Sequence, residues 1–198
     1  MTKALDFTTG YDSRRPPMMG HNAVATSQPL AAQAGMKMLQ LGGNAVDAAI
    51  ATAMALTVVE PTGNGIGSDA FAIVWDGEKL HGLNASGRSP ASWHADLFAG
   101  KTAVPEIGWD AVTVPGAVSG WVALAERFGT LPLTTLAQPA IDYARNGFPV
   151  SPLIGHLWQR GYNKLKDQPG FSACFAPEGR APRVGEIFQI GRASCRER

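Results

Sequence analysis

The sequence predicts an α+β fold in which helices outnumber strands. Two observations carry this prediction. A capping signal precedes an Ala-rich helical run at 45–59, and an Asp-Gly turn separates two short apolar runs that can form a hairpin. The predicted order is a short strand, two helices, a hairpin and then mostly helices. With no internal repeat and no linker, nothing divides this order into separate domains.

The first predicted elements are a short strand at 23–26 and the helix that follows it. Ser27 is the expected N-cap, and Pro29 is tolerated in the first helical turn. An apolar stripe with helical spacing is formed by Leu30, Ala34, Met38 and Leu41. Gly42-Gly43 should end the helix, because glycine readily adopts the left-handed conformation favoured at helix C-termini.

The second predicted helix has clear signals at both ends. Asn44 is the expected N-cap, and Asp47 falls at the third helical position, where a carboxylate favours the positive end of the helix. From 45 to 59 the residues are apolar nearly all round, so we expect neighbouring elements to cover most of this helix. Glu60-Pro61 should end it.

A hairpin and a series of helices complete the prediction. The Asp76-Gly77 turn should join strands at 71–75 and 79–84. Helices are expected at 92–98 (short), 116–128, a stretch ending at 146–147, and 154–166, with a loop at 168–182 and a new element opening at 184–188.

Composition excludes several classes of function. The net charge of +1 gives no electrostatic case for binding nucleic acid or an anionic membrane. The longest apolar run is interrupted by Asp47 and by threonines, so it does not predict a membrane span. The first residues, MTKALDFTTGYDSRRPP, do not resemble a secretory leader, and we expect a cytoplasmic protein.

The last ten residues, QIGRASCRER at 189–198, resemble the read-through translation of a sequencing adapter. We therefore expect 1–188 to be the N-terminal part of a longer protein. Cys195 lies in the tail, which leaves Cys174, so the two cysteines predict neither a disulfide framework nor a metal motif.

Gly63, Gly65 and Gly67 superficially suggest a phosphate-binding loop. Such loops lie between a strand and the N-terminus of a helix, whose free N–H groups bind phosphate. Here the predicted order is helix, loop, strand, and no Gly-Lys-Ser/Thr follows. The glycines are better explained by a tight turn and close packing.

Arg88, in LNASGRSPAS, is the most suggestive charge in the chain. A guanidinium fixed after a strand could bind a substrate carboxylate through two hydrogen bonds, and a solvated loop arginine is the equal alternative. Asp69 could orient a substrate amine or cap the turn. Ser119, in GAVSG, has the wrong spacing for a nucleophile elbow and falls inside a predicted helix, which favours a packing or surface role.

The four histidines lack the spacing of metal ligands and are expected to be ordinary polar residues; they are His21, His81, His94 and His156.

A set of motifs spread over 22–188 resembles the γ-glutamyltranspeptidase family. In order, the motifs are GGNAVDAA at 42–49, VEP at 59–61, GIG at 65–67 and VPG at 114–116, followed by a Gly-Trp. The sequence NASGR is similar to the branch of the family that lacks secretion signals.

The resemblance implies an N-terminal nucleophile hydrolase, an αββα sandwich of which this chain would be an incomplete part. Members of the family are made as one precursor, which cuts itself before a threonine to give a large and a small subunit. The new N-terminal threonine attacks a γ-glutamyl amide and its own α-amine acts as base, with no metal or cofactor. The implied partners are a small carboxylated substrate and the C-terminal small subunit.

The sequence departs from the family in two ways. The processing threonine is absent, and Thr113, Thr134 and Thr135 do not take its place, so no catalytic residue is assigned and the chain alone should be inactive. The carboxylate-binding arginine of the family corresponds to Ser86, whereas the arginine here is Arg88.

On an extended chain positions i and i+2 face the same side, so Arg88 could still reach a carboxylate, with Ser86 beside it. The shift leaves open an amidohydrolase or acylase acting on another small amide, such as oxamate, and a small-molecule-binding relative that has lost catalysis.

Overall fold

The computed structural model describes residues 20–190, and these residues form a mixed helical and strand fold, which confirms the α+β prediction. The elements are α1 (Pro29–Gln40), α2 (Ala45–Val59), β1 (Ala70–Trp75), β2 (Leu80–Ala85), α3 (Ala117–Phe128), α4 (Leu133–Asn146), β3 (Phe148–Pro149), α5 (Pro152–Leu165), α6 (Phe171–Phe175) and β4 (Ile187–Phe188). Two short 3₁₀ helices, Ala95–Phe98 and Trp109–Ala111, lie between β2 and α3. Cys195 and the tail from 191 onward lie outside the described residues.

The N-cap of helix α1 lies one residue later in the chain than predicted. Gln28 is the N-cap, and its side-chain oxygen accepts hydrogen bonds from the N–H groups of Leu30 and Ala31. Ser27, the expected cap, instead donates from its hydroxyl to Glu60 at the end of α2 (2.7 Å). The predicted strand at 23–26 is not formed, because this segment has no ladder partner within 20–190.

Helices α1 to α4 form the helical half of the molecule, and α2 lies at its centre. Helix α2 has the predicted bounds. Asn44 and Asp47 form a capping box, in which each side chain accepts a hydrogen bond from the other residue's backbone N–H. From Ile50 to the end of the helix no residue is exposed, which confirms that neighbours cover this helix on most sides. It packs against α1, α3 and α4.

Asp47 is fully buried and joins two turns that are distant in sequence. Its carboxylate accepts hydrogen bonds from the N–H and hydroxyl of Thr130 and from the N–H of Leu131, 83 and 84 residues away. Burial acts to raise the pKa of Asp47, and these bonds, with that from Asn44, outweigh it and hold the pKa below its ordinary value. The α1–α2 turn is therefore fixed to the α3–α4 turn.

Two apolar clusters stabilise the fold. One joins α1 and α2 to the C-terminal elements through Phe148, Val150, Ile154, Trp158 and Phe188. The other lies between α1, α2, α3 and α4 and includes Met38, Ile50, Ala51, Trp121 and Leu136. Among residues 20–190, no helix has both the length and the apolar character needed to cross a bilayer.

Strands β1 and β2 form the predicted antiparallel hairpin, in which Ala70 pairs with Ala85 and Trp75 with Leu80. The inner face of the hairpin lies against α3 so closely that a Cβ on Gly120 would be 2.7 Å from that of Ala85. The outer face is apolar and 62–77% exposed at each of its large side chains, which are Phe71, Ile73, Trp75 and Leu80.

The elements after the hairpin depart most from the sequence prediction. The short helix expected at 92–98 is a 3₁₀ turn at Ala95–Phe98, and α6 lies within the predicted loop at 168–182. The element expected at 184–188 contains β4, which pairs with β3 immediately after α4. Two-residue strands leave little local signal, because their pairing depends on a contact about 40 residues away in sequence.

Candidate functional site

A cavity of about 560 Å³ lies between the end of β2 and the beginning of α3. Its lining comes from 83–88, from 114–116 and from the first turns of α3, at Ser119, Gly120 and Ala123. The wall is mostly apolar, and Arg88 is the only cation among the residues of 20–190 that line it. The cavity can therefore hold a small molecule that has an apolar body and a negative group.

Arg88 lies on the loop after β2, and its side chain is exposed. Within residues 20–190 its guanidinium has no carboxylate partner, whereas its backbone carbonyl accepts a hydrogen bond from the N–H of Val114 (2.9 Å). The backbone is thus fixed while the charged end is available. This arrangement is compatible with both expectations from the sequence, an arginine that binds an anion and a solvated loop arginine.

Ser86 also lines the cavity, but its polar groups already have partners. Its N–H donates to Asn84 Oδ1 (3.0 Å), and its hydroxyl donates to the carbonyl of Gly87 (3.2 Å). Its own carbonyl accepts from Thr113 Oγ1 (3.2 Å). In this structure Ser86 shapes the loop, and direct contact of its hydroxyl with a substrate stays a prediction.

A glycine with a positive φ separates Ser86 from Arg88. Gly87 has φ +80°, in the left-handed region that favours glycine. Ser86 and Arg88 both line the cavity, and the expectation that their side chains face the same side stays a prediction. Any role of Arg88 rests on its position in the cavity wall.

Three segments meet by backbone contacts at the beginning of α3. The carbonyl of Ser68, at the end of the glycine loop, accepts hydrogen bonds from the N–H groups of Gly116 (3.1 Å) and Ala117 (2.9 Å). A Cβ on Gly116 would lie 2.2 Å from the carbonyl oxygen of Ala85, so only glycine fits there. These contacts fix the entry to α3 against the hairpin.

The glycine loop has the predicted order, between the C-terminus of α2 and β1. The loop forms turns, as predicted, with hydrogen bonds from the N–H of Gly63 to the carbonyl of Glu60 and from the N–H of Ser68 to that of Gly65. The expected close packing is wrong, because a Cβ added at Gly63, Gly65 or Gly67 would meet no atom within 4 Å. None of the three has a positive φ. Through Ser68, the loop instead supplies a backbone acceptor that caps α3.

The other candidates from the sequence take minor places. Asp69 is exposed, and its carboxylate makes no hydrogen bond to any described residue, so it does not cap the turn, and its expected role toward a substrate amine stays a prediction. Ser119 lies inside α3, as predicted, and donates from its hydroxyl to the carbonyl of Gly116 (2.7 Å). That geometry is not a nucleophile elbow.

His81 fastens the turn end of the hairpin to α3. Arg127 has only donors, so it must donate to His81 Nδ1 (3.0 Å), and Nε2 then carries the proton that bonds Asp76 Oδ2 (2.5 Å). The pKa of Asp76 lies far below its usual value, because its carboxylate accepts hydrogen bonds from the backbone N–H of Lys79, from the side chain of His81 and from the backbone N–H of Glu78. Both ring nitrogens are therefore occupied, at the end of β2 away from the cavity.

The residues that sequence reasoning missed are Thr113 and Val114, which bond the loop of Arg88 from 26 to 27 residues away. The only signal was the VPG motif at 114–116, which begins at Val114 and marked the segment without indicating its partner.

Solved structures of known enzymes share this fold. The chain superimposes on the cephalosporin acylase of Bacillus halodurans with a TM-score of 0.79 and 47% identity, over 94% of this chain and 38% of that one. For the γ-glutamyltranspeptidase of Helicobacter pylori the TM-score is 0.81 and the identity 29%, over 91% of this chain and 54% of that one. The fold is thus part of an N-terminal nucleophile hydrolase, as expected.

The Gamma-glutamyltranspeptidase family model matches residues 31–193, and the chain belongs to this family. A glutathione hydrolase-like proenzyme of Bacillus subtilis (YwrD) is 40% identical over 168 residues, which are 83% of this chain and 32% of that protein. The oxamate amidohydrolase proenzyme of Klebsiella pneumoniae is 35% identical over 178 residues, 85% of this chain and 33% of that protein. The chain therefore spans about a third of the length of these curated relatives.

Proposed function

We propose that this chain is the N-terminal part of a γ-glutamyltranspeptidase-like amidase that cleaves γ-glutamyl or similar carboxylated amides. The observation that carries this proposal is the exposed guanidinium of Arg88, which lines a cavity and has no carboxylate partner within residues 20–190. The names of the relatives, which include a glutathione hydrolase-like proenzyme, agree with such a substrate.

The proposed chemistry is acyl transfer through a threonine that a downstream part of the protein supplies. After self-cleavage, the threonine hydroxyl would attack the amide carbon, and its own α-amine would take the hydroxyl proton and pass it to the departing amine. The acyl group would then leave the enzyme on water or on an acceptor amine. The part of the active site in this chain would bind the acyl group.

Arg88 is the proposed anchor for the substrate carboxylate. Two parallel N–H···O bonds from one guanidinium fix the direction of a carboxylate as well as attracting it. Replacing Arg88 with alanine should raise KM about 10- to 100-fold for a carboxylated substrate, since hydrogen bonds to charged groups contribute about 1.5–3 kcal/mol.

The proposed partner of this chain is the downstream part of the same protein, which would become the small subunit. A two-stranded hairpin is not stable alone in water, and the outer face of β1 and β2 exposes four large apolar side chains. A further sheet packed on that face would complete the sandwich. Without it, we propose that the chain is inactive.

A second candidate is an amidohydrolase or acylase that acts on a different small amide. It is favoured by two similar proteins, an oxamate amidohydrolase at 35% identity and a cephalosporin acylase structure at 47%. The same arginine would serve any acyl group that carries a carboxylate. A cytoplasmic location stays a prediction from the sequence.

The decisive experiment extends the gene to the length of the relatives and expresses the product. The proposal expects two chains on a denaturing gel, a new N-terminal threonine by mass spectrometry, and release of aniline from a γ-glutamyl anilide. Release of ammonia from oxamate without aniline would favour the second candidate. A folded product that stays uncut would contradict both and indicate a binding protein without catalysis.

A further inference from the structure

The loop that carries Arg88 is held by a side chain from a distant segment. Thr113 Oγ1 donates a hydrogen bond to the carbonyl of Ser86, 27 residues away, at 3.2 Å. The next residue, Val114, donates from its N–H to the carbonyl of Arg88 (2.9 Å). Two successive residues of one segment therefore bond both ends of the 86–88 loop.

The fit between the two segments is tight at the residue between these bonds. A Cβ on Gly87 would lie 1.8 Å from the carbonyl oxygen of Val114 and 3.2 Å from Thr113 Oγ1. The two segments already lie so close together at Gly87 that the loop has no space to move toward 113–114. Within residues 20–190, the hydrogen bonds that oppose motion away from that segment are those donated by Thr113 and Val114.

We propose that Thr113 is a positioning residue that sets the direction from which Arg88 meets the substrate carboxylate. This rests on the proposed function of Arg88. Thr113 is exposed, and in this proposal it contacts neither the reacting amide nor the substrate carboxylate. Without its hydroxyl, the 86–88 loop gains conformations in which the guanidinium points elsewhere, and binding must then remove that freedom.

The test compares Thr113→Val with Thr113→Ser in the enzyme expressed at the length of the relatives. Valine keeps the shape and removes the donor, whereas serine keeps the donor. Thr134→Val is the matched control, because Thr134 is exposed on α4 away from the cavity. Each variant is assayed with a γ-glutamyl anilide and with the uncharged butyryl anilide, and its melting temperature is measured.

The positioning role predicts that Thr113→Val raises KM for the γ-glutamyl anilide about fivefold, the effect of one neutral hydrogen bond, with kcat little changed. For the butyryl anilide KM should stay within about twofold, because that substrate has no carboxylate. Thr113→Ser should restore most of the affinity for the γ-glutamyl anilide, and Thr134→Val should change neither substrate.

Arg88→Ala separates the two proposals. If it leaves the ratio of the two KM values unchanged, the proposed function of Arg88 is wrong. If it abolishes the preference for the carboxylate while Thr113→Val does not alter it, the positioning role is wrong. Equal effects of Thr113→Val on both substrates would also overturn it. Should that variant fail to fold, Thr113→Ala takes its place with the same expected ratio.

Discussion

The helical half of the molecule and its hairpin differ in how far they are complete. In the helical half, even the buried carboxylate of Asp47 has a full set of hydrogen-bond donors, and α2 is covered on most sides. The hairpin has a well-packed inner face, but its outer face exposes large apolar side chains, and Arg88 at its end has no ion pair among the described residues. The contrast indicates that the helices are covered by other elements of this chain, whereas the outer face of the hairpin is not covered by any described residue.

The largest effect is expected from breaking the helical half at Asp47. Asp47→Ala leaves the N–H groups of Asn44, Thr130 and Leu131 without their acceptor inside the protein. We expect the free energy of unfolding to fall by about 3–4 kcal/mol, because each buried donor without a partner costs about 1–3 kcal/mol. The measurement is urea denaturation at low protein concentration. Asp167→Ala is the control, since that residue is exposed, and an equal loss there would contradict the prediction.

A smaller effect is expected on the outer face of the hairpin. Ile73 is 77% exposed, so Ile73→Lys should change the unfolding free energy of this chain by less than about 0.5 kcal/mol. It should also raise the soluble fraction, because the unsubstituted chain exposes an apolar patch and is expected to be poorly soluble. Light scattering and centrifugation measure this outcome.

The same substitution in the full-length protein tests whether another part of the protein covers the outer face of the hairpin. There Ile73→Lys should destabilise, because the downstream part would cover the face and bury the lysine. Ile50→Lys is the matched control, since Ile50 is 1% exposed and should not tolerate lysine in either context. Equal tolerance of Ile73→Lys in the short and the long protein would mean that nothing packs on this face.

The smallest effect concerns pH. The hydrogen bonds to Asp47 hold its folded-state pKa below the ordinary value of 3.8. Its stabilising contribution is therefore complete above that value and is lost as pH falls through the folded-state pKa. Urea denaturation from pH 7 to pH 3 should show a fall in stability at the acid end that is reduced in Asp47→Asn. An identical fall in the free energy of unfolding at acid pH in Asp47→Asn would show that other carboxylates cause the loss.

The sequence by itself determined the elements whose signals are local. Asn44 and Glu60-Pro61 set the bounds of α2, Asp76-Gly77 set the hairpin, and Gly129 ended α3. The motifs from 42 to 121 also identified the family. In each case the responsible side chains lie within a few residues of the feature, so capping and turn preferences are sufficient.

Only the tertiary structure decided the contacts that join distant segments. It pairs β3 with β4, bonds Asp47 to Thr130, and brings Thr113 to Ser86. It also brings the loop at 86–88 so close to the segment at 113–114 that a Cβ on Gly87 would lie 1.8 Å from the carbonyl oxygen of Val114. The physical reason is that a hydrogen bond across 27 or 83 residues depends on how whole elements pack, and no local preference encodes that packing.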